Sequence, residues 1–70
     1  MTFNVGDRIV FSDEEGILVR GLILYPYLYG CDVRVDGTTR PYNIYVLKLD
    51  MIHEEVFDSL LYQELLGNTI

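Results

Sequence analysis

From Cys31 to Asp36 apolar and charged residues alternate one for one: Cys31, Val33 and Val35 against Asp32, Arg34 and Asp36. Successive side chains of an extended chain point to opposite faces, so this segment predicts a strand with one buried and one wet side. Asp36-Gly37 follows directly. That pair tolerates the positive φ values of tight hairpin turns and predicts a reversal into a further strand running from Arg40 to Leu49.

The rest of the N-terminal two-thirds carries the same signature. Asp7 to Ser12 reads as a first strand, Asp13-Glu14-Glu15-Gly16 as an exposed acidic turn, and Ile17 to Tyr25 as a long second strand rich in branched residues. Gly21 is expected to bend or bulge the second strand. Tyr25-Pro26-Tyr27-Leu28-Tyr29-Gly30 ends it, because proline has no N–H for a central ladder and glycine permits the return. The segment from Arg40 to Leu49 is apolar on both faces, with Tyr42, Ile44 and Val46 on one and Tyr45, Leu47 and Leu49 on the other, so a cover is expected over its outer face. A helix over residues 51–66 is the expected cover. Asp50 would cap it, Glu54 and Glu55 would sit at its positive end, and Gly67 would stop it. Val56, Phe57, Leu60 and Leu61 make one apolar stripe, while Met51, Tyr62 and Leu66 lie away from it; one sheet does not bury both sides.

Seventy residues accommodate a single domain spanning 1–70, and domains of this size are only marginally stable without a staple. The one cysteine, Cys31, forms no internal bridge, which makes self-association through Met51, Tyr62 and Leu66 the expected reinforcement. No apolar run approaches the roughly 18 residues of a membrane span, and Met1 is not followed by a basic leader, so a cytoplasmic location is expected. The net charge of −6 is unevenly spread. Residues up to Leu49 carry all five basic residues (Arg8, Arg20, Arg34, Arg40 and Lys48) and come to −1, whereas Asp50, Glu54, Glu55, Asp58 and Glu64 leave the remainder at −5. An acidic surface of this kind repels nucleic-acid phosphates.

Val5-Gly6-Asp7-Arg8-Ile9-Val10-Phe11, then Gly21-Leu22-Ile23-Leu24, then Asp32-Val33-Arg34-Val35-Asp36-Gly37, closing on Val46-Leu47-Lys48-Leu49, together resemble SH3-like barrels of the KOW and Tudor type. The likeness covers residues 5–52. It implies a mainly β fold: an SH3-like small β-barrel of four to five antiparallel strands with one C-terminal α-helix. KOW modules that bind nucleic acid tend to carry basic residues and glycines after the first strand, where this chain has Asp13-Glu14-Glu15-Gly16. A Tudor-type reader of methylated lysine would need a cage of aromatic rings, for which Tyr25, Tyr27, Tyr29, Tyr42 and Tyr45 are the available residues.

Tyrosine pairs an apolar ring with a polar hydroxyl and suits half-wet interfaces, so these five residues are either a partner-binding surface or caps on the ends of a small barrel without tryptophan. Arg20, Arg34 and Arg40 either converge as an anion-binding pocket or pair with Asp32, Asp36 and Glu15 across strands. His53 and Cys31 are single, so neither a metal set nor a cofactor is expected, and Cys31, in phase with Val33 and Val35, is expected to be a buried, inert thiol. No Ser/His/Asp set, phosphate loop or dinucleotide fingerprint is present. The expectation is therefore a non-catalytic protein-binding module, which resembles the small phage and mobile-element proteins that inhibit a host enzyme or defence system. The alternatives are a protein that sequesters a nucleotide or other anionic small molecule, and a KOW-like nucleic-acid-binding domain.

Overall fold

The computed structural model describes residues 2–37 and 39–67. Its elements are β1 (Arg8–Ser12), β2 (Leu18–Pro26), β3 (Gly30–Val35), β4 (Tyr42–Leu47), a single 3-10 turn (Lys48–Asp50), β5 (Met51–His53) and α1 (Glu54–Gly67). The five strands form one antiparallel sheet in the order β4-β3-β2-β1-β5. The chain is thus mainly β with one C-terminal helix, in a barrel-like meander that stays open between its two end strands, β4 and β5.

The alternation that predicts β3 decides the inside of the sheet. Ile9, Ile23, Cys31, Val33 and Val35 are fully or almost fully buried, and Phe3, Phe11, Val46 and Met51 complete the cluster, with Val19 and Ile44 packed at its margin. Opposite each inward residue the partner strand supplies another: Ile23 faces Val33, Val33 faces Ile44, and Cys31 faces Val46. Cys31 is buried, and removal from water raises its thiol pKa, so little of it is in the reactive thiolate form.

Several local expectations are corrected. Gly21 stays in register, opposite both Ile9 and Val35, and the irregularity in β2 falls between Ile23 and Tyr25. Gly37 does not take a positive φ, a conformation found only at Gly6 and Gly16 among the described residues. Val35 pairs with Tyr42, so the β3–β4 connection is a longer loop in which a tight turn is not required. The strand read over Arg40 to Leu49 contracts to Tyr42–Leu47, since Pro41 precedes it and Lys48–Asp50 coil into the 3-10 turn.

The largest correction concerns the C-terminal segment. Met51, expected on the outer side of a helix, lies in β5, where Met51, Ile52 and His53 pair with Phe11, Val10 and Ile9. Its side chain is 4 % exposed. The helix therefore starts at Glu54, and Asp50 caps nothing in it. α1 rests on β1 and β5 and does not cover β4, because a helix leaving β5 emerges at the opposite end of the sheet order. The outer face of β4 keeps Tyr45 and Leu47 in the open.

This placement separates two neighbouring apolar residues. Met51→Ala is expected to cost about 2–5 kcal/mol in chemical denaturation, the usual range for emptying a buried methionine site. Leu49→Ala, at a side chain 96 % exposed, is expected to cost nothing measurable. Equal effects at the two positions would contradict the strand assignment.

Candidate functional site

Side chains of α1 are tied to the sheet by two arginines on its outer face. Arg8 from β1 and Arg20 from β2 both reach Oε2 of Glu54, at 3.2 and 3.1 Å. Arg20 also donates to both carboxylate oxygens of Asp58, at 3.3 and 2.9 Å, and lies over the Phe57 ring with its guanidinium carbon 5.6 Å from the centroid. Arg8 also donates two bonds to Asp36, through Nη1 at 2.9 Å and through Nη2. Hydrogen bonds from Arg8, then from Arg20, hold the Glu54 carboxyl below its ordinary value; those from Arg8 and Arg20 do the same for Asp36 and Asp58 respectively. Both guanidinium groups are correspondingly shifted upward.

The three arginines read as an anion-binding set have different surroundings. Arg20 is engaged with Asp58 and Glu54, Arg34 donates from Nε to the Asn43 side chain at 3.4 Å, and Arg40 lies in the loop before β4. His53 stacks on Phe3 with centroids 4.7 Å apart and places Nε2 2.9 Å from the Thr2 carbonyl oxygen, fastening the N-terminal segment. Among the described residues no three His, Cys, Asp or Glu side chains converge as a metal site, and no helix is long and apolar enough to cross a membrane.

Three of the predicted tyrosines come together. Tyr25, Asp32 and Tyr45 form one row across β2, β3 and β4. The Tyr25 and Tyr27 rings lie 5.0 Å apart and Tyr27 and Tyr45 6.0 Å apart, each pair tilted by about 50°. The Tyr27 hydroxyl donates to Asp32 at 2.8 Å, and this bond raises its pKa. Tyr45 is seated over Gly30: a Cβ there would stand 2.5 Å from its Cζ and 2.6 Å from the Val46 carbonyl oxygen, so no other residue fits without displacement. Tyr29 stands apart at the tip of the β2–β3 turn, and Tyr62 lies exposed on α1 with Leu66, also exposed, one turn further on.

Tyr45, together with Tyr42, also borders a second feature, the open seam of the sheet. A groove of about 560 Å³ runs there, lined by Tyr42, Ile44, Tyr45, Val46 and Leu47 of β4 on one side. On the other lie Phe11 and Ser12 of β1, Asp13, Glu14 and Glu15 of the following turn, and Asp50. The acidic turn is a built structure: Asp13 Oδ1 accepts the N–H groups of Glu15 and Ile17, each at 2.9 Å, and Gly16 supplies a positive φ of 80°. Four carboxylates thus face an aromatic and apolar wall, no lysine or arginine lines the groove, and among the described residues none of the four takes part in an ion pair.

Sequence reasoning named Tyr42 and Tyr45 and missed the acids opposite them. The signal was the compact Asp13-Glu14-Glu15 run, but nothing local says that Asp50 and β4 will be its neighbours.

No family model matches the chain, and neither a curated protein nor a solved structure matches it.

Acid is expected to loosen the helix before the sheet. The lowered carboxyl pKa values of Asp36, Glu54 and Asp58 mean that their contribution is complete above the ordinary carboxylate range near pH 4 and fades as the pH falls through their lower folded values. Helical circular dichroism should decline on acidification ahead of the methyl resonances of Ile23 and Val33. Simultaneous loss of both signals would show that the arginine pairs do not secure α1.

Proposed function

We propose that this chain is a non-catalytic protein-binding module whose seam groove receives a basic segment of a partner protein. The observation that carries the reading is the unneutralised set Asp13, Glu14, Glu15 and Asp50 set against Tyr42 and Tyr45. Carboxylates beside aromatic faces attract lysine and arginine side chains twice over, by charge and by cation–π contact. The acids are spread along the groove and form no metal cluster, an arrangement better suited to a cationic chain than to a single ion. The likeness of residues 5–52 to KOW and Tudor barrels supports a binding role of this general kind, and the acidic groove directs it toward protein and away from nucleic acid.

Fluorescence polarisation with a labelled lysine- and arginine-rich peptide tests this reading. Binding should weaken as salt is raised, and the double reversal Glu14→Lys/Glu15→Lys should weaken it by about tenfold or more, whereas Glu64→Lys on the helix should leave it unchanged. Equal effects from the two variants would overturn the proposal.

A second observation supports self-association. None of the fourteen residues of α1 is buried, and Leu60, Leu61, Tyr62 and Leu65 stand exposed together in its second half. A helix of this length is marginal in water unless its apolar side is packed. The Glu54 and Asp58 charges are already countered by Arg8 and Arg20, so two copies of this stripe can meet without facing the full acidity of the segment. Met51, buried in β5, takes no part. Sedimentation should give a mass near twice 8.1 kDa for the natural chain and a single copy for Leu61→Asp/Leu65→Asp. A monomeric natural chain would dismiss the pairing.

A further inference from the structure

The seam groove follows the edge of a strand, and the direction of that strand's hydrogen bonds can be read. The Lys48 N–H donates to the Tyr29 carbonyl at 2.9 Å, which makes Tyr29 and Lys48 a hydrogen-bonded pair. Bonded and non-bonded pairs alternate in an antiparallel ladder. In the observed register the bonded pairs are then Cys31 with Val46, Val33 with Ile44 and Val35 with Tyr42. The N–H and C=O groups of Asn43, Tyr45 and Leu47 therefore point away from β3, toward the open side. β4 is an end strand, so no strand among the described residues receives them.

The lining confirms that the groove is centred on this edge. Tyr42, Ile44 and Val46 project from the inner face of β4, and Tyr45 and Leu47 from the outer face, yet all five line one groove. A cavity reached from both faces of a strand lies along its rim. The edge also lacks the usual protections: Tyr42-Asn43-Ile44-Tyr45-Val46-Leu47 contains no charged residue, no proline and no bulge against β3.

We propose that the partner segment binds as an added strand, pairing one edge of its backbone with Asn43, Tyr45 and Leu47 and lying in the seam beside β4 without pairing to β5. This inference rests on the basic-segment reading above and specifies its geometry. The occupant is an extended stretch of alternating basic and apolar residues. Its apolar side chains would lie over Phe11, Ile44 and Val46, and its basic side chains would reach Asp13, Glu14, Glu15 and Asp50. Charge selects such a segment over a second copy of this chain, whose net charge of −6 opposes entry into an acidic groove.

The test is calorimetry of the full chain against a short peptide of alternating lysine and valine, in three forms: unmodified, N-methylated on every lysine amide, and N-methylated on every valine amide. Only one set of amides in a strand faces its neighbour, so one methylated form should bind about tenfold more weakly or worse while the other stays close to the unmodified peptide. If both methylated forms bind as well as the unmodified peptide, or both lose equally, strand addition is overturned; the basic-segment reading then still stands on the Glu14→Lys/Glu15→Lys result. Failure of all three forms to bind at millimolar concentration overturns both. A doubled mass that persists in Leu61→Asp/Leu65→Asp and is dispersed by the peptide assigns the edge to a second copy and overturns the choice of occupant.

Discussion

Ile9, Ile23, Val33 and Val35, all but sealed from solvent, form an apolar row across β1, β2 and β3, and the rest of the molecule depends on that row staying inside. Side chains alternate along a strand, so a shift of one residue in any register would exchange this row for the charged one. With Ile9 on the inner face, Arg8 and Val10 point to the other face, where Val10 is itself buried; with Gly21 and Ile23 inside, Arg20 is outside; with Val33 and Val35 inside, Arg34 is outside. The row also sets β4, whose Ile44 and Val46 turn inward opposite Val33 and Cys31 and leave Tyr45 facing out.

From that register comes a division of charge. Arg8 and Arg20 emerge beside the start of α1, where they engage Glu54, Asp58 and Asp36. Exposed pairs of this kind contribute little singly, but a shared Glu54 and a two-pronged Arg20–Asp58 contact make a small network that orients the first turns of the helix. The same contacts remove two of the five basic residues from any role in countering Asp13, Glu14, Glu15 and Asp50. No lysine or arginine stands among the residues that line the seam groove.

Much of the sheet is legible in the sequence, because a half-buried strand writes its two faces directly into its residues, as Cys31 to Asp36 does. Met51-Ile52-His53 carries no such mark. It is apolar, follows an acidic residue and precedes a helix, so it reads as the helix's first turn; only its pairing with Phe11, Val10 and Ile9, far away in the chain, makes it a strand. Asp36-Gly37 misleads for a similar reason, since Val35 pairs as far along as Tyr42 and relaxes the turn. The doubly apolar pattern of β4 predicts a cover over its outer face and points to the helix as that cover, but the helix lies at the other end of the sheet and Tyr45 and Leu47 stay exposed. For the proposed site, Tyr42 and Tyr45 stand out in the sequence by residue type alone. Their acidic neighbours are joined to them only by topology.

Amide hydrogen exchange followed residue by residue along β4, with and without the lysine–valine peptide, tests the central claim most directly. In the free chain Ile44 and Val46, bonded to β3, should exchange slowly and Asn43, Tyr45 and Leu47 rapidly; the peptide should slow the second group and leave the first as it was. Protection that falls on α1, or on the Tyr25–Tyr27 surface, while Asn43, Tyr45 and Leu47 continue to exchange freely would contradict the account.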